Sequence, residues 1–131
     1  MIATAAAAKL SIWLVTAAIC REASNQPTEG QIAVAQVVAT RSTKWKKPVY
    51  KVINKTNFPW GGMKHKMPKI KNKIDKDVQD KANTLAKAVL FQGLRAKRLA
   101  HGDYTFFNHY KMGRRFKTNV AMVRIGDHVF Y

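Results

Sequence analysis

Apolar residues recur three and four positions apart at the start of the chain. Leu10, Trp13, Leu14, Ala17 and Ala18 follow that spacing in an alanine-rich stretch, which predicts a helix from Ala3 to about Ala23. Ser24, Asn25 and Gln26 break the pattern, and Pro27 with Thr28 marks the entry to a second helix. That helix, about Thr28 to Ser42, places Ile32, Ala35, Val38 and Ala39 on one face. Ala33, Val34 and Val37 widen the apolar band, so it is expected to be central and well buried. A further helix is predicted from Asp75 to Leu94, with Val78, Ala82, Leu85, Ala86, Val89, Leu90 and Leu94 at helical spacing.

Elsewhere the helical period fails. Between Thr43 and Lys73 lie three of the four prolines, the Gly61-Gly62 pair and a dense series of lysines interleaved with Trp45, Tyr50, Phe58 and Trp60. This stretch reads as a long irregular region with one short helix near Val49 to Asn54, and loops of that length in compact domains are often functional. From Asp103 to Tyr131 the chain turns aromatic and β-branched. Two short antiparallel strands are expected there, Tyr104 to Phe107 and Val120 to Tyr131, joined across the basic loop Lys111 to Lys117. The fold class expected is α+β, mainly α, in a single domain over residues 1–131.

Composition changes the picture through the sign of its charge. Lys and Arg number 24 against 7 acids, a net charge of +17, so the chain repels itself and is suited to a polyanionic partner. Nucleic acid, anionic lipid and the acidic bacterial envelope all qualify on charge alone. The single cysteine, Cys20, excludes an intramolecular disulfide and a CxxC metal site. It reads as a small thiol on an apolar helix, and no histidine near it in sequence supports a nucleophile. The apolar run from Leu10 to Cys20 is shorter than the roughly 20 residues of a membrane span. With no basic segment before it and no small-residue cleavage site after it, the run reads as a structural helix rather than an export signal. Asp75, Asp77 and Asp80 suit the positive end of a helix dipole better than a metal cluster. His65, His101 and His109 lack ligand spacing, and no metal or cofactor is assigned.

Glu22 stands out among the titratable groups. It is one of two glutamates and sits at the end of an apolar helix, just before the break. Packing against Trp13, Ala18 or the second helix would disfavour a carboxylate there, and a protonated carboxyl is suited to donating to a glycosidic oxygen. The alternative is an ordinary helix-end glutamate paired with Arg21 or Arg41.

The segment from Cys20 to Arg41 resembles the E-A-x-G-E-x-x-x-G-Q-x-A-V-A-x-V-x-x-N-R pattern of SleB/CwlJ-type cell-wall hydrolases. Their closing pattern, A-x-x-F-x-N and then R-I-G-(N/D)-H-x-F-Y, is matched by Thr105-Phe106-Phe107-Asn108 and by Arg124 to Tyr131. Asn57-Phe58-Pro59-Trp60 stands where the family has Q-F-S-W. The resemblance covers nearly the whole chain in order, and the final octapeptide is its most specific part. It implies a lysozyme-like, mostly helical domain that cleaves the bond between N-acetylmuramic acid and N-acetylglucosamine. It further implies a lytic-transglycosylase-like mechanism in which Glu22 makes both proton transfers, unlike the two-carboxylate scheme of most glycosidases. Gln26 stands where the family has its second acid, Asn25 where it has glycine and Thr40 where it has asparagine; a single-acid mechanism tolerates the first change.

Phe107, Asn108, Trp60, His128, Tyr131 and Gln31 are the expected substrate-binding residues, because aromatic faces and amides suit pyranose rings and N-acetyl groups. Core packing is an equal reading for Phe107 and Tyr131, and a structural hydrogen bond is the commoner role for a histidine such as His128. Trp60 with Gly61-Gly62 is the candidate for a lip over the groove, against a plain loop anchor. The expected partners are peptidoglycan and, through the basic surface, the anionic envelope. The expected place of action is the cell wall, as a monomeric phage lysin or virion-borne enzyme. The rival reading is a catalytically weak wall-binding or nucleic-acid-binding protein, since lysines among aromatics also hold single-stranded nucleic acid. No RNA- or DNA-binding motif supports that rival.

Overall fold

The computed structural model describes residues 4–54, 58, 71–96, 103–111 and 122–131. The first helix, α1, runs Ala5–Ala23 and begins where the Thr4 hydroxyl accepts a hydrogen bond from the Ala7 amide at 3.0 Å. Helix α2, Thr28–Trp45, starts behind Pro27 and ends at Lys46 in the left-handed conformation. A single turn, α3 (Val49–Val52), follows Pro48. Helix α4, Lys73–Gln92, is capped by Asn72, whose carbonyl accepts from the Asp75 amide, while the Asp75 carboxylate accepts from the Lys71 amide. Asp80 pairs with Lys76 one turn earlier, so these two acids serve helix start and helix surface, as their spacing implies. Gly93, at φ 69°, ends α4 in the conformation glycine adopts without strain.

Helices α1, α2 and α4 pack against one another around the core. Leu14, Val15 and Ile19 from α1, Val34, Val37 and Val38 from α2, and Val89 from α4 are fully buried, each worth about 1.5–3 kcal/mol of burial. Ala17, Ala18, Ala33, Ala35, Ala82 and Ala86 lie between them, small enough for close helix approach. The buried face of α1 is rotated from the expected one. Trp13 remains 41% exposed and Leu10 is also exposed, because Val15 and Ile19, not Trp13, complete the stripe begun by Leu14 and Ala18. Helix α2 is central, as its wide apolar band predicts, and it also buries Gln31, Gln36, Thr40 and Arg41. Gln36 holds the chain on both sides of the 97–102 segment. Its amide nitrogen donates to Asp103 at 2.7 Å, and its carbonyl accepts from the Ala96 amide at 2.9 Å.

Among the described residues the C-terminal region forms three strands rather than two. β1 (Phe107–His109), β2 (Val123–Ile125) and β3 (His128–Phe130) make an antiparallel sheet in the order β1-β3-β2. The expected long final strand is split by Gly126-Asp127, with Gly126 at φ 59° in the first place of a two-residue hairpin loop. β3 therefore folds back on β2, and its other edge takes β1 in the register Phe107 to Phe130, Asn108 to Val129 and His109 to His128. Thr105 and Phe106 extend that edge by donating to the Tyr131 carbonyl, both at 2.8 Å.

Candidate active site

Glu22 occupies the last turn of α1, half-buried, where the helix must stop before Pro27. The carbonyls at a helix end have no partner within the helix. Gln31, 3% exposed on α2, supplies one: its amide donates to the Ala23 carbonyl at 3.0 Å and reaches Ser24 at 3.5 Å. The turn that carries Glu22 is thus pinned to α2.

A second fastening joins this turn to the hairpin. The Gln26 amide donates to the Asp127 carboxylate at 3.0 Å, and its carbonyl accepts from the Asp127 amide at 2.8 Å. Gly126 fits beneath them, since a Cβ there would meet Gln26 Oε1 and lie 2.8 Å from Pro27. The hydrogen bond from Gln26, aided by nearby Arg124 and histidines, holds Asp127 below the usual carboxylate range. The Arg124 guanidinium lies 3.9 Å over the Tyr110 ring and donates to the Gly126 carbonyl, bracing the same turn.

These fastenings bring the helix end and the sheet together around a cleft of about 270 Å³. It is lined by Glu22, Arg41, Phe58, Phe107, Asn108, His109 and His128. The volume is near the lower end of small-molecule sites, which run from about 300 Å³ upward. Glu22 is the one carboxylate in this lining among the described residues. His128 is 9% exposed, edge-on to Phe107 and Phe130, and its Nδ1 has no hydrogen-bond partner among the described residues. Burial lowers its pKa from 6.5, with His109 adding to the effect and Asp127 opposing it. The imidazole is therefore neutral at neutral pH. Arg41, 6% exposed, donates from Nε to the Thr105 carbonyl at 2.6 Å. Its Cζ lies 4.9 Å from the Phe106 ring, 5.3 Å from Trp45 and 5.6 Å from Phe58. Burial holds its pKa below the ordinary arginine value.

A family model described as Cell Wall Hydrolase matches residues 25–131. The chain belongs to the cell wall hydrolase family. The hydrolase accordingly acts on peptidoglycan at the cell wall. No curated protein and no solved structure matches it. The matched segment begins three residues after Glu22, so that residue's place beside the motif rests on the geometry above. Among the described residues, no helix is long and apolar enough to cross a membrane.

Of the residues expected in the site, Glu22, Phe107, Asn108 and His128 meet in the cleft. Tyr131 lies one contact behind: its hydroxyl accepts from the Asn108 amide at 3.2 Å, and its ring stacks on Phe106. Gln31 does not line the cleft; its contact is with the turn that carries Glu22. Trp60 and the Gly61-Gly62 lip lie outside the described residues. Arg41, Phe58 and His109 join the lining without having been singled out for it. Arg41 closes the first sequence motif on an otherwise apolar helix, which is the signal that marked it. Cys20 is half-buried and its thiol is raised by desolvation against the opposing pull of Arg21, in keeping with an inert helix cysteine.

Proposed function

We propose that the hydrolase is a single catalytic domain that cleaves the bond between N-acetylmuramic acid and N-acetylglucosamine, with Glu22 as both acid and base. The observation that carries this reading is the meeting of a half-buried glutamate with Phe107, Asn108 and His128 in one cleft. Glu22 protonates the glycosidic oxygen as the bond to the muramic anomeric carbon breaks. As a carboxylate it then takes the proton of the muramic 6-hydroxyl, whose oxygen closes onto that carbon to give a 1,6-anhydro ring. Support for one acid in place of two comes from the lining, where no second carboxylate occurs among the described residues. A neutral His128 in the lining is suited to a hydrogen bond with a sugar hydroxyl or N-acetyl group. Phe107 offers a ring face, and Asn108, steadied by Tyr131, offers an amide.

The test is clearance of purified peptidoglycan by wild type and by Glu22→Gln. Loss of acid–base catalysis lowers the rate by about 10²–10⁴-fold, while pelleting of the variant with the wall persists. Equal clearance by the two proteins rules out the role of Glu22. Mass spectrometry of the released muropeptides gives anhydro ends for the proposed mechanism and reducing ends for hydrolysis by water.

A further inference from the structure

The cation in the cleft remains unexplained by glycosidic chemistry. An arginine guanidinium carries five N–H donors in a flat fork. Nε is used on Thr105, and no acceptor for the two terminal nitrogens occurs among the described residues. No carboxylate among them lies within salt-bridge distance of Arg41 either, although Glu22 shares the same lining. Desolvation disfavours this charge, and Tyr131 and three aromatic rings compensate only in part. The rings also hold the guanidinium in place, so an incoming anion meets donors already oriented.

We propose that Arg41 recognises a carboxylate of the substrate, and that the hydrolase prefers glycan strands whose muramic lactyl group is a free acid, that is, strands stripped of stem peptide. This rests on the cleavage reading for the identity of the sugar. In peptide-bearing strands the lactyl carbonyl is an amide with one acceptor oxygen and no charge. In stripped strands it is a carboxylate with two oxygens, the partner that fits a guanidinium fork. Carboxylates further along a stem peptide are residues away from the sugar ring. The lactyl group is attached to it, within reach of a residue in the same cleft as Glu22.

The experiment compares two soluble disaccharides of N-acetylglucosamine and N-acetylmuramic acid, one with a free lactyl acid and one with the lactyl group joined through an amide to alaninamide, which carries no carboxylate. Each is titrated into the Glu22→Gln protein, where turnover does not interfere. Tryptophan fluorescence reports binding, because Trp45 lies against Arg41. The free acid is expected to bind about ten- to a hundred-fold tighter, the range of a charge-assisted hydrogen-bonded pair. Adding Arg41→Gln brings the ratio towards one, and Arg41→Lys keeps part of it. Equal binding of the two sugars, tighter binding of the amide, or a preference that survives Arg41→Gln overturns the proposal. Should Arg41→Gln not fold, the ratio in the parent and its change in Arg41→Lys decide the matter. A strong preference in a wild-type protein that clears neither intact peptidoglycan nor walls stripped of stem peptide by an amidase sinks the cleavage reading and leaves the recognition standing. Clearance with a ratio near one does the reverse.

Discussion

His128 shows how a single residue serves both core and cleft. It stands opposite His109 and Ile125 in the sheet, is flanked by Phe107 and Phe130, and yet lines the site. Its depressed pKa has a consequence for stability. The unfolded chain takes up a proton near pH 6.5, whereas the folded chain resists it to lower pH. Between those two values the unfolded state binds more protons, so stability is full above about 6.5 and is lost as pH falls through this window. The melting temperature should fall on acidification from pH 7 to pH 5, and His128→Gln should flatten that slope. A slope unchanged by the substitution would assign the effect to other groups. Glu22, Phe107, Asn108 and His128 were legible in the sequence because two motifs contain them. Arg41 closes the first of these motifs but was not singled out for the site, since an arginine near the end of a helix reads as a solvated charge until the Thr105 segment and three rings cover it.

Between elements, the joint that matters runs from the α1–α2 turn to the β2–β3 hairpin. Gln26 stands where the related pattern has an acid, and its amide here complements both the carboxylate and the backbone amide of Asp127. Gln26→Glu would set two carboxylates against each other. We expect a loss of stability, read as a lower denaturant midpoint. Asp127→Asn should restore much of it in the double variant, because an amide then faces the new acid again. Additive losses in the double-mutant cycle would show that the pair is not coupled. The helices themselves were readable from spacing, and α2 begins at Thr28 as expected. The strands were less so. Aromatic and β-branched content identified an extended C-terminus, but pairing depends on contacts distant in sequence, and one glycine turned a single expected strand into two.

Across the whole molecule the dominant quantity is the net charge of +17. A disaccharide whose lactyl group is held in an uncharged amide has no charge of its own, whereas the envelope around it is rich in phosphate and carboxylate. Binding of Glu22→Gln to whole walls should therefore weaken steeply as salt rises from about 0.01 to 1 M, where the screening length falls from about 30 to 3 Å. Recognition of a neutral disaccharide in the cleft should change little over the same range. Pelleting and fluorescence titrations separate the two, and a salt-insensitive wall affinity would remove charge as the means of retention.

Local information was enough for much of this protein. Helical periods, caps and breaks are set by residues within a few positions of each other, and the charge and the two motifs are present in any conformation. The cleft is different. Glu22 and His128 are brought together by packing and by hydrogen bonds such as those between Gln26 and Asp127, across a hundred positions of chain. Whether Trp13 or Val15 faces the core, which edge of β3 receives β1, and whether Arg41 meets solvent or a site all depend on how the helices rotate and dock. Those choices minimise exposed apolar surface and unpaired polar groups over the entire fold, a condition that no short stretch of sequence expresses.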